Sequence, residues 1–101
     1  MHINLKGENL DLTEAIKSHV EEKIGSLDKF FDNTFNCDVT VGMTTHHHHK
    51  GNVYEAKVNL EVPGNLIRAE AVSDDLYKAI NEVKDELQRE IKKYKGKLQG
   101  R

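Results

Sequence analysis

The amino-acid pattern predicts an α+β domain in the order β-α-β-β-β-α, a four-stranded mixed sheet with two helices packed on one of its faces. Three observations lead there. Near the end of the chain, Leu76, Ile80, Val83, Leu87, Ile91, Tyr94 and Leu98 follow at steps of three and four, one helical face sustained for about six turns. In the middle, three runs alternate apolar and polar residues with the period of a half-buried strand. At the front, a short alternating run precedes a second helical stripe.

Taken in order, His2 to Lys6 alternates with Ile3 and Leu5 on one side, a short strand that Gly7 is expected to end. Thr13 suits the N-cap of the first helix, with Asp11, boxed with Glu14, as the alternative. Leu12, Ile16, Val20, Ile24, Leu27 and Phe31 recur at helical spacing. Gly25 costs that helix about 1 kcal/mol relative to Ala, so a bend or fraying is expected there. Asp32-Asn33 closes the segment.

Phe35, Cys37, Val39, Val41 and Met43 form the apolar side of the next strand, and Tyr54, Ala56, Val58, Leu60 and Val62 that of the one after. Pro63-Gly64-Asn65 reads as a turn, the only proline standing where its missing N–H does no harm. Ile67, Ala69 and Ala71 mark the last strand, and the small Ala56, Ala69 and Ala71 would let a helix approach closely. Ser73, Asp74 and Asp75 can cap the last helix, which Gly96 and Gly100 are expected to fray or stop. The first crossover should be parallel and right-handed, the later strands antiparallel.

The 101 residues suffice for one domain with one core, read as a single unit over 1–101. No apolar run approaches the roughly 18 to 20 residues of a membrane span. The opening MHINLKGENL lacks the apolar core of a signal peptide, and the one cysteine has no internal disulfide partner. These features point to the cytoplasm. The mixed polar outer face of the sheet favours a monomer when free.

Catalytic chemistry finds little support. The acids lie on exposed helix faces and strand exteriors, without a carboxylate pair in an apolar setting. Gly-rich phosphate loops and nucleophile elbows are absent from the sequence, so no enzyme and no cofactor are expected. Cys37 sits between Phe35 and Val39 as a small core residue. His46 to His49 are good ligands individually, but consecutive loop residues do not converge tetrahedrally, so no metal site is expected. They read as a polar hairpin loop.

Charge is more telling. Residues 89–101 hold Arg89, Lys92, Lys93, Lys95, Lys97 and Arg101 against the single acid Glu90, while the whole chain carries a net charge of −2. At about 100° per residue, Lys78, Arg89, Lys92 and Lys93 fall opposite the apolar stripe, with Lys84, Lys95 and Lys97 on its flanks. Cations at a helix C-terminus favour the dipole, and they also suit a polyanion. A double-stranded-RNA-binding domain is a poor match, because it lacks the initial strand and carries lysines where this chain has Asp74 and Asp75.

Three stretches together resemble a known family. INLKGENLDLTEAI is similar to the first strand and helix entry of the ribosome hibernation promoting factors, also called ribosome-associated inhibitors and once labelled sigma-54 modulation proteins. KIGSLDKFFD resembles the end of that family's first helix. IRAEAVSDDLYKAINEVKDELQREIKKYKGKL resembles its last strand and helix, including the Asp-hydrophobic-Tyr-x-Ala-Ile pattern at Asp75, Leu76, Tyr77, Ala79 and Ile80.

The resemblance implies the fold already read. It also implies a stationary-phase or stress factor that binds the small ribosomal subunit and its rRNA within the 70S ribosome. There it would fill the channel of mRNA and the A- and P-site tRNAs and silence idle ribosomes by occlusion. Ending at Arg101, the chain resembles the short class without a C-terminal dimerisation domain, so ribosome pairing would need a separate dimerising factor. Carried over position by position, the implied rRNA-binding residues are Lys23, Lys29, Arg89, Lys92, Lys93, Lys95 and Lys97. Glu86 and Glu90 depart from the family pattern. The alternatives are a generic structured-RNA-binding module and a metal-binding or protein-interaction domain using the histidine loop.

Overall fold

A computed structural model describes residues 1–30, 35–44 and 53–100, with the side chains of 98–100 left out. The order is β1 (His2–Glu8), α1 (Glu14–Gly25), a 3-10 turn (Ser26–Phe30), β2 (Asn36–Thr44), β3 (Val53–Val62), β4 (Asn65–Ser73) and α2 (Leu76–Gly100). The four strands form one sheet in the order β1-β2-β3-β4. β1 runs parallel to β2, and the other two pairings are antiparallel. The expected fold class and element order are therefore observed. Phe31 and the histidine run at 46–49 lie outside the described residues.

Strand parity explains how one face becomes the core. The register sets Ile3 beside Cys37, Leu60 and Ile67, and Leu5 beside Val39, Val58 and Ala69. These rows point to the helices, and Cys37, Val39, Val58, Leu60, Ile67 and Ala69 are buried. The alternate rows, such as Lys6, Thr40, Lys57 and Glu70, form the outer face. On α2, Leu76, Ile80, Val83, Leu87 and Ile91 are buried, while Tyr94 is half-buried and donates its hydroxyl proton to the Pro63 carbonyl (3.0 Å) at the β3–β4 turn. Each such buried aliphatic side chain contributes about 1.5 to 3 kcal/mol.

Both helix starts are capped by side chains. Thr13 Oγ1 accepts from the Ile16 N–H at 3.2 Å, and Asp75 Oδ1 accepts from the N–H groups of Tyr77 and Lys78 at 2.8 and 3.3 Å. Helix α1 ends at Gly25 and tightens into the 3-10 turn, where Leu27 is fully buried.

Two glycines act otherwise than expected. Gly7 lies inside β1, and a Cβ there would stand 2.9 Å from the Leu10 carbonyl oxygen as the chain folds back. The strand runs on to Glu8 instead of ending at Gly7, and Asn9, at φ 58°, turns the chain after it. Gly96 interrupts nothing, and α2 continues past it to Gly100. Its missing Cβ costs propensity only, and the apolar stripe holds the helix on either side of it.

Cys37 is fully buried and its thiol is pushed up to about 12, first by burial and then by the neighbouring Asp38 carboxylate. A thiol raised above its unfolded value of 9.0 favours the folded state below that pH and loses the contribution as pH rises toward 12. Native protein at pH 8 should therefore react with a disulfide reagent only as fast as it opens, and addition of urea should release the full thiol signal. Leu87→Ala, which opens a cavity beneath α2, should cost about 2 to 5 kcal/mol in urea unfolding. Gly42→Val should also destabilise, because a Cβ there would meet the Glu8 carbonyl oxygen at 2.8 Å.

Candidate nucleic-acid interface

The burial of one stripe of α2 decides where its cations go. Arg89, Lys92 and Lys93 are exposed on the side away from the sheet. Arg89 reaches Glu86 Oε1 at 2.6 Å, and Lys93 reaches Glu90 Oε2 at 3.3 Å. Both are exposed i,i+3 pairs, worth at most about 1 kcal/mol each, so either cation can turn to a phosphate at small cost. Among the described residues Lys92 makes no ion pair, and its ammonium stands in solvent.

The flanks differ from one another. Lys95 is half-buried and its Nζ donates to the carbonyl oxygen of Phe30, tying α2 to the end of the 3-10 turn. Lys29 stands in that same turn, its Nζ 5.6 Å from the Phe30 ring centroid. The strut thus brings Lys29 and Lys95 to one place. On the opposite flank, Lys97 and Lys93 line a shallow groove of about 110 Å³ with Tyr94, Glu90 and the first residues of β4, Asn65 to Arg68.

Lys23 closes α1, half-buried one turn beyond His19. His19 marks the seam between the helices: its Nε2 lies 2.9 Å from Asn81 Oδ1, and its ring meets Tyr77 edge-to-face at 4.9 Å. Parallel travel of the two helices carries Lys23 toward the half-buried Lys84.

The seven expected residues therefore do not share one face. They surround α2 from Lys84 onward in three directions: outward (Arg89, Lys92, Lys93), toward α1 (Lys23, Lys29, Lys95) and toward the β4 edge (Lys97, with Lys93 bordering). Arg68 was absent from the expected set although it lines the same groove as Lys93 and Lys97. Strand alternation pointed it outward, but only the antiparallel return of α2 over β4 places it beside the helix end. Such a distribution presents cations on several sides and carries no base-reading geometry of its own.

The described residues contain no group of three or more His, Cys, Asp or Glu that could hold a metal. No described helix is long and apolar enough to cross a membrane.

Comparison with known proteins agrees with this architecture. The chain is 37% identical over 100 residues to the ribosome hibernation promotion factor of Bacillus subtilis (strain 168), covering 97% of this chain and 50% of that protein. It is 36% identical over 95 residues to the protein of that name from Lactococcus lactis subsp. cremoris (strain MG1363), covering 94% and 50%. The chain thus spans about half the length of the curated relatives it matches. Among solved structures, the N-terminal domain of Thermus thermophilus Protein Y superposes with a TM-score of 0.80 at 32% identity, over 93% of this chain and 99% of that one. A ribosomal subunit interface protein from Coxiella burnetii shares the fold, with a TM-score of 0.78 at 24% identity over 95% and 99% of the two chains. The family model described as Sigma 54 modulation protein / S30EA ribosomal protein matches residues 3–99, and the chain belongs to that family.

Proposed function

We propose that this chain is a non-catalytic ribosome-binding unit that promotes hibernation by occupying the mRNA and tRNA channel of the small subunit. Family membership and the names of the relatives support the ribosome as partner and the cytoplasm as the place of action. The observation that carries the mode of binding is the fan of cations around the second half of α2, set on a rigid slab of sheet and helix. A helix of 25 residues is about 37 Å long, and the Tyr94 bond to Pro63 marks where it reaches the turn end of the sheet. Its last turns carry Lys95 and Lys97 beyond that point. A convex cationic end of this kind suits a cleft walled by phosphates on several sides, more than the flank of a single duplex.

Binding of this sort is driven by counterion release and weakens steeply with salt. Shape, not base reading, then supplies the preference for the folded small subunit. The proposed contacts are Lys23, Lys29, Arg89, Lys92, Lys93 and Lys97, to which we add Arg68 because it lines the groove of Lys93 and Lys97. Lys95 contributes charge, and it also has a second task in holding the 3-10 turn.

Co-sedimentation with separated subunits and 70S ribosomes, at about 50 mM and about 200 mM salt, tests the reading. The chain should travel with the small subunit and leave as salt rises. Arg89→Glu, Lys92→Glu and Lys93→Glu combined should abolish association with an unchanged unfolding curve; undiminished binding would remove the assignment. Equal affinity for any structured RNA at matched salt would instead favour a generic RNA module.

Lys95→Met separates strut from handle. It should lower stability by about 1 to 3 kcal/mol, the scale of a charged hydrogen bond, whereas Lys92→Met should leave stability unchanged and reduce the salt slope by about one.

A further inference from the structure

The β4 edge carries a pattern of which the ribosome-binding reading uses only Arg68. β4 is the last strand of the sheet, with β3 on one side only. Val62 pairs with Asn65 across a two-residue turn, Pro63-Gly64, so Asn65, Ile67, Ala69 and Ala71 direct their backbone groups at β3. Leu66, Arg68, Glu70 and Val72 direct theirs outward. One outward donor, the Leu66 N–H, is taken by the neighbouring Asn65 Oδ1 at 2.8 Å. Those of Arg68, Glu70 and Val72 face the open edge.

The side chains of these same residues stand on the outer face of the sheet. Leu66 (39% exposed) and Val72 (56% exposed) are two of the three exposed large apolar residues among the described residues, and both lie on this strand. Between them come one cation and one anion, Arg68 and Glu70.

We propose that this edge is a self-complementary joint through which two copies of the chain pair, antiparallel about Ala69. In that register Arg68 faces Glu70 of the second copy and Leu66 faces its Val72, and the two-fold axis makes each pair twice. On the helix side Ile67 meets Ala71 of the second copy and Ala69 meets Ala69, small enough for the strands to close.

The neighbouring registers fail on charge. Centring the axis on residue 68 sets Arg68 against Arg68, and centring it on residue 70 sets Glu70 against Glu70, with like charges directly opposed. Odd shifts would place outer-face residues against core-face ones. One alignment therefore satisfies both the charged and the apolar pairs.

The α2 flank above this edge carries Glu86 and Glu90, which would repel across the axis if bare. Each is already paired on its own helix, Glu86 with Arg89 and Glu90 with Lys93. The joint is short, a few residues a side, and belongs with the small, weak interfaces that form at micromolar concentration and above. On the ribosome-binding reading, the second copy would compete with RNA for Lys93 and Lys97, which line the groove beside β4.

Sedimentation equilibrium of the 101-residue chain without RNA, from about 10 to about 500 µM, tests the joint independently of that reading. The apparent mass should rise toward the dimer. Arg68→Glu alone and Glu70→Arg alone should each weaken pairing by at least about tenfold, since symmetry places every repulsive pair twice. An equimolar mixture of the two single variants should pair again, because each then supplies the charge the other lacks. The double variant Arg68→Glu/Glu70→Arg should recover pairing by itself. All four positions of the joint are exposed, so every variant should stay folded, with the midpoint lowered slightly wherever Glu70→Arg sets an arginine opposite Lys57. A single monomer mass over the whole range would overturn the proposal, as would dimers indifferent to both reversals or mixed single variants that pair no better than either alone.

Discussion

Everything outside the core depends on one contact, the apolar stripe of α2 laid along the sheet. Leu76, Ile80, Val83, Leu87 and Ile91 are buried against the face that Ala56, Val58, Leu60, Ile67 and Ala69 present. Once that stripe is committed, the helix has no rotational freedom left, and each remaining residue is assigned a direction. The cations at 89–97 are then distributed by arithmetic: some outward, one against the 3-10 turn, one over β4. The small alanines beneath the helix set its height above the sheet, and so how far Lys97 and Arg68 lie from one another across the groove.

The surface electrostatics follow from the same commitment. A chain with a net charge of −2 can still present a cationic end, because Glu90 is the only acid within residues 89–101. Asp75 caps α2, and Glu86 and Glu90 hold Arg89 and Lys93 in weak local pairs. Exposed pairs of this type are nearly isoenergetic with their separated forms. Either cation can therefore exchange its glutamate for another anion at small cost, and the balance shifts with ionic strength.

Most of the fold was legible because periodicity alone encodes it. Period two named the core face of each long strand, and steps of three and four named both helix stripes, as the burial of Val39, Val58, Val20 and Leu87 shows. Caps were legible too, since Thr13 and Asp75 are local signals. What escaped was non-local. Gly7 was expected as a stop, whereas it is a close-approach residue whose neighbour, the Leu10 carbonyl, arrives only after the chain turns at Asn9. Gly96 was expected to fray or stop α2, yet tertiary packing overrides the propensity of one residue. At the candidate interface, helical angle separated outward cations from flanking ones but could not say what each flank faces. Lys95 as a strut and Arg68 as a groove residue both depend on which elements stand beside α2, and neither is visible in a one-dimensional pattern.

The parallel pairing of β1 with β2 bears on how the domain comes apart. His2 meets Asn36 and Asn4 meets Asp38, partners 34 residues distant, whereas β3 and β4 meet across a two-residue turn. Closing the longer loop costs more chain entropy, and β1 is half-buried on its inner side where β2 and β3 are fully covered. β1 is accordingly the last strand secured and the first released, a low-energy opening unit distinct from the β2–β3–β4–α2 block. Such an opening exposes Leu5 and the edge of β2 while the cationic helix stays seated on its own two strands. The domain can loosen at one side of its sheet without letting go at the other.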